Sequence, residues 1–300
     1  MYIIAASEET PVETIVGSEE NASNSFSLGF DPLDGSSIID ANFSVGSIFG
    51  IWPGRGVLGR TGREQVASAV TLYGPRTTLC IALPASSTSL LKNVVLEVTL
   101  TSSDDGKTEY AKWEVSRDEI KIKSSGKVFA PGNLRASNDN EKYNQLIQYW
   151  IKERYTLRYT GGMVPDVYHI FAKSKGVFSN VSSEKAKAKL RLLYEVAPMG
   201  LIVEAAGGMT THEAYDGSVL DEKIDDLDKR LGVCFGSVDE VKKYKEIMFK
   251  KDEEKEDFLP EQGGKKSGSC VFCAILKPQV AIAVLSFVAG WQIAMSKNRR

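Results

Sequence analysis

The stretch Phe26-Ser-Leu-Gly-Phe-Asp-Pro-Leu-Asp-Gly-Ser-Ser37 constrains this chain more than any other. It opens as an apolar, aromatic run of the kind that forms a buried strand. At Asp31-Pro32 the strand is expected to stop, because proline offers no N–H to a ladder and restricts the residue before it. Asp31 and Asp34 then share one tight turn, and Gly35, Ser36 and Ser37 follow with small side chains that let backbone N–H groups converge. Hard divalent cations take carboxylate oxygens, and phosphate takes converging N–H donors. One loop offers both.

Composition narrows the partners. In 300 residues, 37 basic side chains face 39 acidic ones, so no basic excess points to nucleic acid. The two histidines, His169 and His212, are too few for a histidine-rich zinc or haem centre, whereas abundant Asp and Glu suit magnesium or manganese. Cys80 and Cys234 lie in apolar runs and read as core residues, and Cys270-Val-Phe-Cys273 has no second pair to complete a zinc site. The start, Met1-Tyr-Ile-Ile-Ala-Ala-Ser-Glu-Glu9, has neither the basic region nor the long apolar core of a leader.

Periodicity gives the elements. Residues 43–52 and 77–83 read as strands, 62–72 as a helix, and 94–101 with 108–115 as a hairpin around Asp104-Asp-Gly106. Residues 140–154 form an amphipathic helix with Tyr143, Leu146, Ile147, Trp150 and Ile151 on its apolar stripe. Ser237-Val-Asp-Glu240 spells a capping box before a last helix. Together these predict an α/β layered fold. The expected divisions are 1–128, 129–250, a charged and flexible linker at 251–279, and an apolar tail at 280–300.

Asp31-Pro-Leu-Asp-Gly-Ser-Ser37 resembles the metal and phosphate loop of the magnesium-dependent sugar phosphatases, the family of fructose-1,6-bisphosphatase and inositol monophosphatase. The longer Phe30-Asp-Pro-Leu-Asp-Gly-Ser-Ser-Ile-Ile-Asp40, with Val45-Gly-Ser-Ile-Phe-Gly-Ile-Trp52, is most similar to the sedoheptulose-1,7-bisphosphatase branch. The resemblance runs from Ser7 to the last helix and implies a sandwich of sugar-phosphatase type. It implies hydrolysis of the 1-phosphate of sedoheptulose 1,7-bisphosphate by metal-activated water, with fructose-1,6-bisphosphatase as the alternative. A membrane-tethered, non-catalytic sugar-phosphate binder is the reading from a different class.

The resemblance also implies a site. Glu8, Asp31, Asp34 and Glu195, with the Leu33 carbonyl, would hold Mg2+ or Mn2+; Glu9, Asp31 and Glu195 would be catalytic; Gly35, Ser36 and Ser37 would hold the scissile phosphate. Arg158, Tyr159 and Lys189, with Asn133 and Arg135, would hold the distal phosphate and sugar. Guanidinium geometry suits phosphate, and the apolar neighbours of Lys189 and Glu195 imply that each charge has a partner. Pro131-Gly-Asn-Leu-Arg135 and Asn180 stand where fructose-bisphosphatases have other residues, which favours the seven-carbon sugar.

Relatives carry a long segment before Ser-Glu-Glu that this chain lacks, so an amino-terminally truncated member, homodimeric or homotetrameric, of plastid or cytoplasm, is expected. Val280–Met295 is apolar except for Ser286 and Gln292. As a helix it would span only ~24 Å of a ~30 Å hydrocarbon core, so an anchor making membrane contact through 280–296 and a mis-spliced end are both open.

Overall fold

The computed structural model describes residues 2–16, 25–87, 92–104 and 109–250. Its first sheet has eight strands: β1 (Tyr2–Ser7), β2 (Thr14–Val16), β3 (Ser25–Asp34), β4 (Val45–Pro53), β5 (Ala67–Tyr73), β6 (Thr77–Leu83), β7 (Val94–Asp104) and β8 (Glu109–Arg117). They are ordered β2-β1-β3-β4-β5-β6-β7-β8. Only the β1–β3 pair is parallel, with Ser7 opposite Phe30; the other neighbours are antiparallel. Strands β7 and β8 form the expected hairpin, with Asp104 opposite Glu109.

Alternation along these strands gives the sheet two apolar faces. Ile48, Val70 and Cys80 pack with residues of helices α2 (Met163–Lys173) and α3 (Ala197–Ala205). Phe49, Ala69 and Leu79 point the other way and cluster with Leu28 and Ile81.

The run 62–72 is not the expected helix. Gly62–Glu64 is a single 3-10 turn, and Ala67–Tyr73 is the central strand β5. Ala67 to Thr71 of β5 are all buried, Ser68 and Val70 against the helices and the small Ala67 and Ala69 among larger side chains of neighbouring strands, which erases the one-sided pattern that separates strand from helix. Its small side chains let α3 approach closely, and the Ser68 hydroxyl donates to the Pro198 carbonyl at 2.7 Å.

The second sheet has five strands in the order β10 (Thr156–Leu157), β9 (Val128–Pro131), β11 (Val177–Asn180), β13 (Val233–Gly236) and β12 (Met209–His212). Helices α1 (Glu141–Lys152) and α4 (Val238–Met248) pack with it, burying Tyr143, Leu146, Ile147 and Trp150. Ile151, expected in that stripe, is 58% exposed, since it falls one position beyond the face. Asn140 caps α1 by accepting the Tyr143 N–H at 3.0 Å.

The capping box of α4 does not form. The Ser237 hydroxyl accepts the Gly176 N–H, and Glu240 accepts the Gly126 N–H at 2.9 Å and the Tyr155 hydroxyl at 2.6 Å. Tertiary partners thus replace local ones, and Glu240 ties the helix to the loop before β9.

The mixed sheets with helices bear out the α/β expectation. Cys80 and Cys234 are buried. Cys270, Cys273 and the segment 280–296 lie outside the described residues, among which no helix is long and apolar enough to cross a membrane.

Candidate functional site

Strand β3 does not stop at Asp31-Pro32. Asp31 pairs with Ile48 and Asp34 with Gly46, so Pro32 and Leu33 together oppose Ser47 in a β-bulge. A bulge is where a strand tolerates proline, because the extra residue owes the ladder no N–H. The Ser47 hydroxyl donates to the Pro32 carbonyl at 2.6 Å and pins the bulge from the neighbouring strand. Asp31 Oδ1 accepts the Leu33 N–H at 2.8 Å. Gly35 follows with φ of 91°, a left-handed conformation that favours glycine. Ser36–Ile38 then forms one 3-10 turn, with both serines exposed.

Glu195 arrives from the other end of the chain. It lies on a π-helical turn, Leu192–Val196, that runs directly into α3, and its Oε2 accepts the Arg191 N–H at 2.6 Å. This turn packs on β3: a Cβ on Gly29 would lie 2.6 Å from Leu193 Cδ1. Close approach at Gly29 therefore lets Glu195 reach the bulge. Asp31, Asp34 and Glu195 each present a carboxylate oxygen, all within 4.8 Å of one another, and all three are buried. Asp34 Oδ2 also accepts the Val164 N–H at 2.6 Å, from the first turn of α2.

Three buried carboxylates at this spacing repel. Burial, then the Asp34 charge, pushes Asp31 up to about 7. Burial also pushes Asp34 up to about 6, against the pull of the Val164 and Met163 N–H groups. Glu195 is raised well above the usual carboxylate range, by burial first and the Asp34 charge second. Among the described residues no Lys or Arg side chain is hydrogen-bonded to any of the three. Of the described cationic side chains only the Arg191 charge is felt there, at Glu195, and an all-oxygen donor set so little neutralised suits a hard divalent cation.

The glutamate pair is divided. Glu8 is ion-paired with Arg191, whose Nε also holds Asp228 at 2.6 Å, so its carboxylate is outside the three-acid cluster. Glu9 is exposed, and its charge is felt at Asp31.

Of the residues expected at the distal end, Tyr159 and the 132–135 loop form a separate group. Tyr159 donates its hydroxyl to the Gly132 carbonyl at 3.0 Å, and the Arg135 charge is felt at the same phenol. Arg158 and Arg135 are exposed. The buried Asn133 donates its amide to the carbonyls of Val181 and Ala186, each at 2.9 Å, so its nitrogen supports the floor of the loop. Lys189 is exposed although its neighbours Ala188 and Leu190 are buried; the expectation of a partner for a charge in apolar text rested on the neighbours, which face the other way.

Sequence reasoning passed over Arg191, which reaches Glu8 and Asp228 by its side chain and Glu195 by its N–H. It passed over the Val164 N–H as well, because a backbone donor has no signature in residue type.

Known proteins share this architecture. The sequence models "Fructose-1-6-bisphosphatase, N-terminal domain" and "Fructose-1-6-bisphosphatase, C-terminal domain" match residues 1–95 and 122–249. The chain is 49% identical over 248 residues to a chloroplastic sedoheptulose-1,7-bisphosphatase of Spinacia oleracea, covering 82% of this chain and 59% of that protein. It is thus similar to a relative of which it spans about three-fifths. A class 1 fructose-1,6-bisphosphatase of Geotalea uraniireducens is 34% identical, with 82% of this chain and 72% of that protein covered. Among solved structures, a Toxoplasma gondii protein assigned as a sedoheptulose-1,7 bisphosphatase superposes with a TM-score of 0.73 at 41% identity, covering 82% of this chain and 76% of that one. Two domain models in tandem, these identities and this superposition make the chain a member of the fructose-1,6-bisphosphatase family.

Proposed function

We propose that this chain carries the metal-dependent active site of a sugar bisphosphatase whose preferred substrate is sedoheptulose 1,7-bisphosphate. The observation that carries the reading is the cluster of Asp31, Asp34 and Glu195 within 4.8 Å, raised in pKa and, among the described residues, hydrogen-bonded by no Lys or Arg side chain. These three, with the Leu33 carbonyl and with Glu8 once it leaves Arg191, would hold Mg2+ or Mn2+. Bound there, such cations supply Lewis acidity to the phosphate and acidify a water.

The protein's own groups would do the rest. Glu9, exposed beside the cluster, would take the proton of the attacking water. Gly35, Ser36 and Ser37 would offer N–H groups to the scissile phosphate, since the first amides of a helical turn have no partner within it. Arg158, Tyr159, Arg135 and Lys189 would bind the second phosphate and the sugar, and Asn133 would hold the Gly132–Arg135 loop in shape.

The seven-carbon substrate is favoured by the 46–49% identities to proteins named sedoheptulose-1,7-bisphosphatase, against 34–35% for those named fructose-1,6-bisphosphatase. By the same resemblance the setting would be a plastid, as those relatives are chloroplastic, and the assembly a homodimer or homotetramer.

The test is phosphate release from both bisphosphates, with and without Mg2+. The expected result is Mg2+-dependent release with the higher kcat/KM for the sedoheptulose compound. A preference for fructose 1,6-bisphosphate would select the alternative, and release unaffected by chelation would overturn the metal site.

A further inference from the structure

Between the acid cluster and the Tyr159 loop lies a carboxylate that neither reading assigns. Asp166 sits in the first turn of α2 and is 3% exposed. Its Oδ1 accepts the Thr160 N–H at 2.8 Å, and the Gly161 N–H also bonds to this carboxylate. Its Oδ2 is buried without a hydrogen-bond partner among the described residues. The same side chain is close enough to Asp34 and to Tyr159 for charge to be felt between them.

That placement is costly for an ordinary helix residue. A buried carboxylate near another buried acid lowers stability except where hydrogen bonds offset the cost, and here those bonds come from the strap. A neutral residue would start α2 equally well, since Asp34 already binds the Met163 and Val164 N–H groups. What Asp166 adds is a tie backward to the strap 158–161. Gly161, at φ of 107°, and Gly162 give that strap backbone freedom that nothing in their own side chains restrains. Helix α2 is therefore bonded on one side to Asp34 and on the other to the strap carrying Arg158 and Tyr159.

We infer that Asp166 is a positioning residue, which holds the 158–161 strap at a fixed distance from the acid cluster and so matches the site to a substrate with two phosphates. The inference rests on the bisphosphatase reading for its substrate, while the strap contact stands on geometry alone. Asp166 touches no reacting atom; it acts through Thr160 and Gly161.

The experiment compares the wild type with Asp166→Ala and Asp166→Asn. Asparagine keeps an oxygen that can accept the Thr160 N–H; alanine does not. Three readouts are taken on the full chain: amide hydrogen exchange over 158–161, kcat and KM for sedoheptulose 1,7-bisphosphate, and turnover of fructose 1-phosphate, which has no distal phosphate. In Asp166→Ala the Thr160 amide should exchange about tenfold faster or more, and KM for the bisphosphate should rise by a similar factor with kcat little changed. Fructose 1-phosphate turnover should stay within about twofold, and Asp166→Asn should restore both the Thr160 protection and KM.

Unchanged Thr160 protection in Asp166→Ala, a parallel fall on both substrates, or failure of asparagine to rescue would each overturn the inference. If the alanine variant does not fold, Asp166→Ser, one bond too short to reach the strap, takes its place. If the wild type hydrolyses neither substrate, the bisphosphatase reading fails, and hydrogen exchange alone decides whether Asp166 holds the strap.

Discussion

Asp34 Oδ2 accepts the Val164 N–H at 2.6 Å, joining two residues 130 apart in the chain. The bond fixes the bulge of β3 to the start of α2, so one of the three clustered acids is set by a helix rather than by its own loop. It also puts the partial positive charge of a helix N-terminus beside a buried carboxylate, a favourable arrangement.

Replacing Asp31 by Asn or Glu195 by Gln should remove metal-dependent phosphatase activity, with kcat lowered by about a thousandfold or more if cation binding supplies several kcal/mol. The fold should survive, because each change also removes a buried charge from a repelling cluster. Near-normal kcat in either variant, with far-ultraviolet circular dichroism unchanged, would show that the cluster is not the metal site.

Stability without divalent cations should fall as pH rises. The folded-state values of Asp31 and Asp34, about 7 and about 6, lie above the usual 3.8. In that window the folded chain binds more protons than the unfolded chain, so stability is greatest below the unfolded value and is lost through the folded one. With chelator present, Tm should therefore be higher near pH ~5 than near pH ~8, by a few degrees for each kcal/mol lost, roughly 2–4 °C. Added Mg2+ should raise Tm at the higher pH more than at the lower. A flat chelated profile would contradict the buried-acid account.

Gly46→Ala should destabilise the protein by about 1–3 kcal/mol, the range for an overpacked core. A Cβ there would collide with the Thr71 carbonyl and the Val164 side chain. Because Val164 also supplies the N–H held by Asp34, the same substitution should weaken Mg2+ activation, read as a rise in the half-saturating concentration. Denaturant unfolding gives the first number and a Mg2+ titration of activity gives the second.

Glu97→Ala should cost about 3 kcal/mol, as removing one partner strands the other. Glu97 is 2% exposed and accepts from Arg117, from the Tyr168 hydroxyl at 2.8 Å and from the Ser116 hydroxyl at 2.8 Å. Arg117 is partly exposed and retains the Phe171 carbonyl at 2.9 Å, which softens the loss. Glu97→Gln should cost less. A loss below about 1 kcal/mol for alanine in urea unfolding would place the network among the weak surface pairs.

The sequence showed the metal loop because its chemistry is local: Asp31, Asp34 and Gly35 stand within five residues, and a short-range motif keeps its meaning in any fold. Glu195 was reachable only through resemblance, since no spacing rule connects residues so far apart. The strand at 67–73 was misread because burial on both faces removes periodicity, and the capping box because Glu240 found better partners across the fold. Asp166 and Arg191 carry no signal in residue type or spacing. What distinguishes them is which backbone N–H or carboxylate each meets, and that is decided by packing.

The parallel pairing of β1 with β3 has a consequence for how this site can vary. Ser7 lies opposite Phe30, and the Glu8 N–H continues the ladder to the Phe30 carbonyl at 3.0 Å, so both strands deliver their acids to one rim of the sheet. Glu8 and Glu9 lie just past the end of β1, so the ladder sets where the pair leaves the sheet. A slip of β1 by one residue against β3 would shift that exit by ~3.3 Å, the rise of one strand residue, and carry Glu8 away from Arg191. The parallel pairing is thus what registers the glutamate pair against the acid loop.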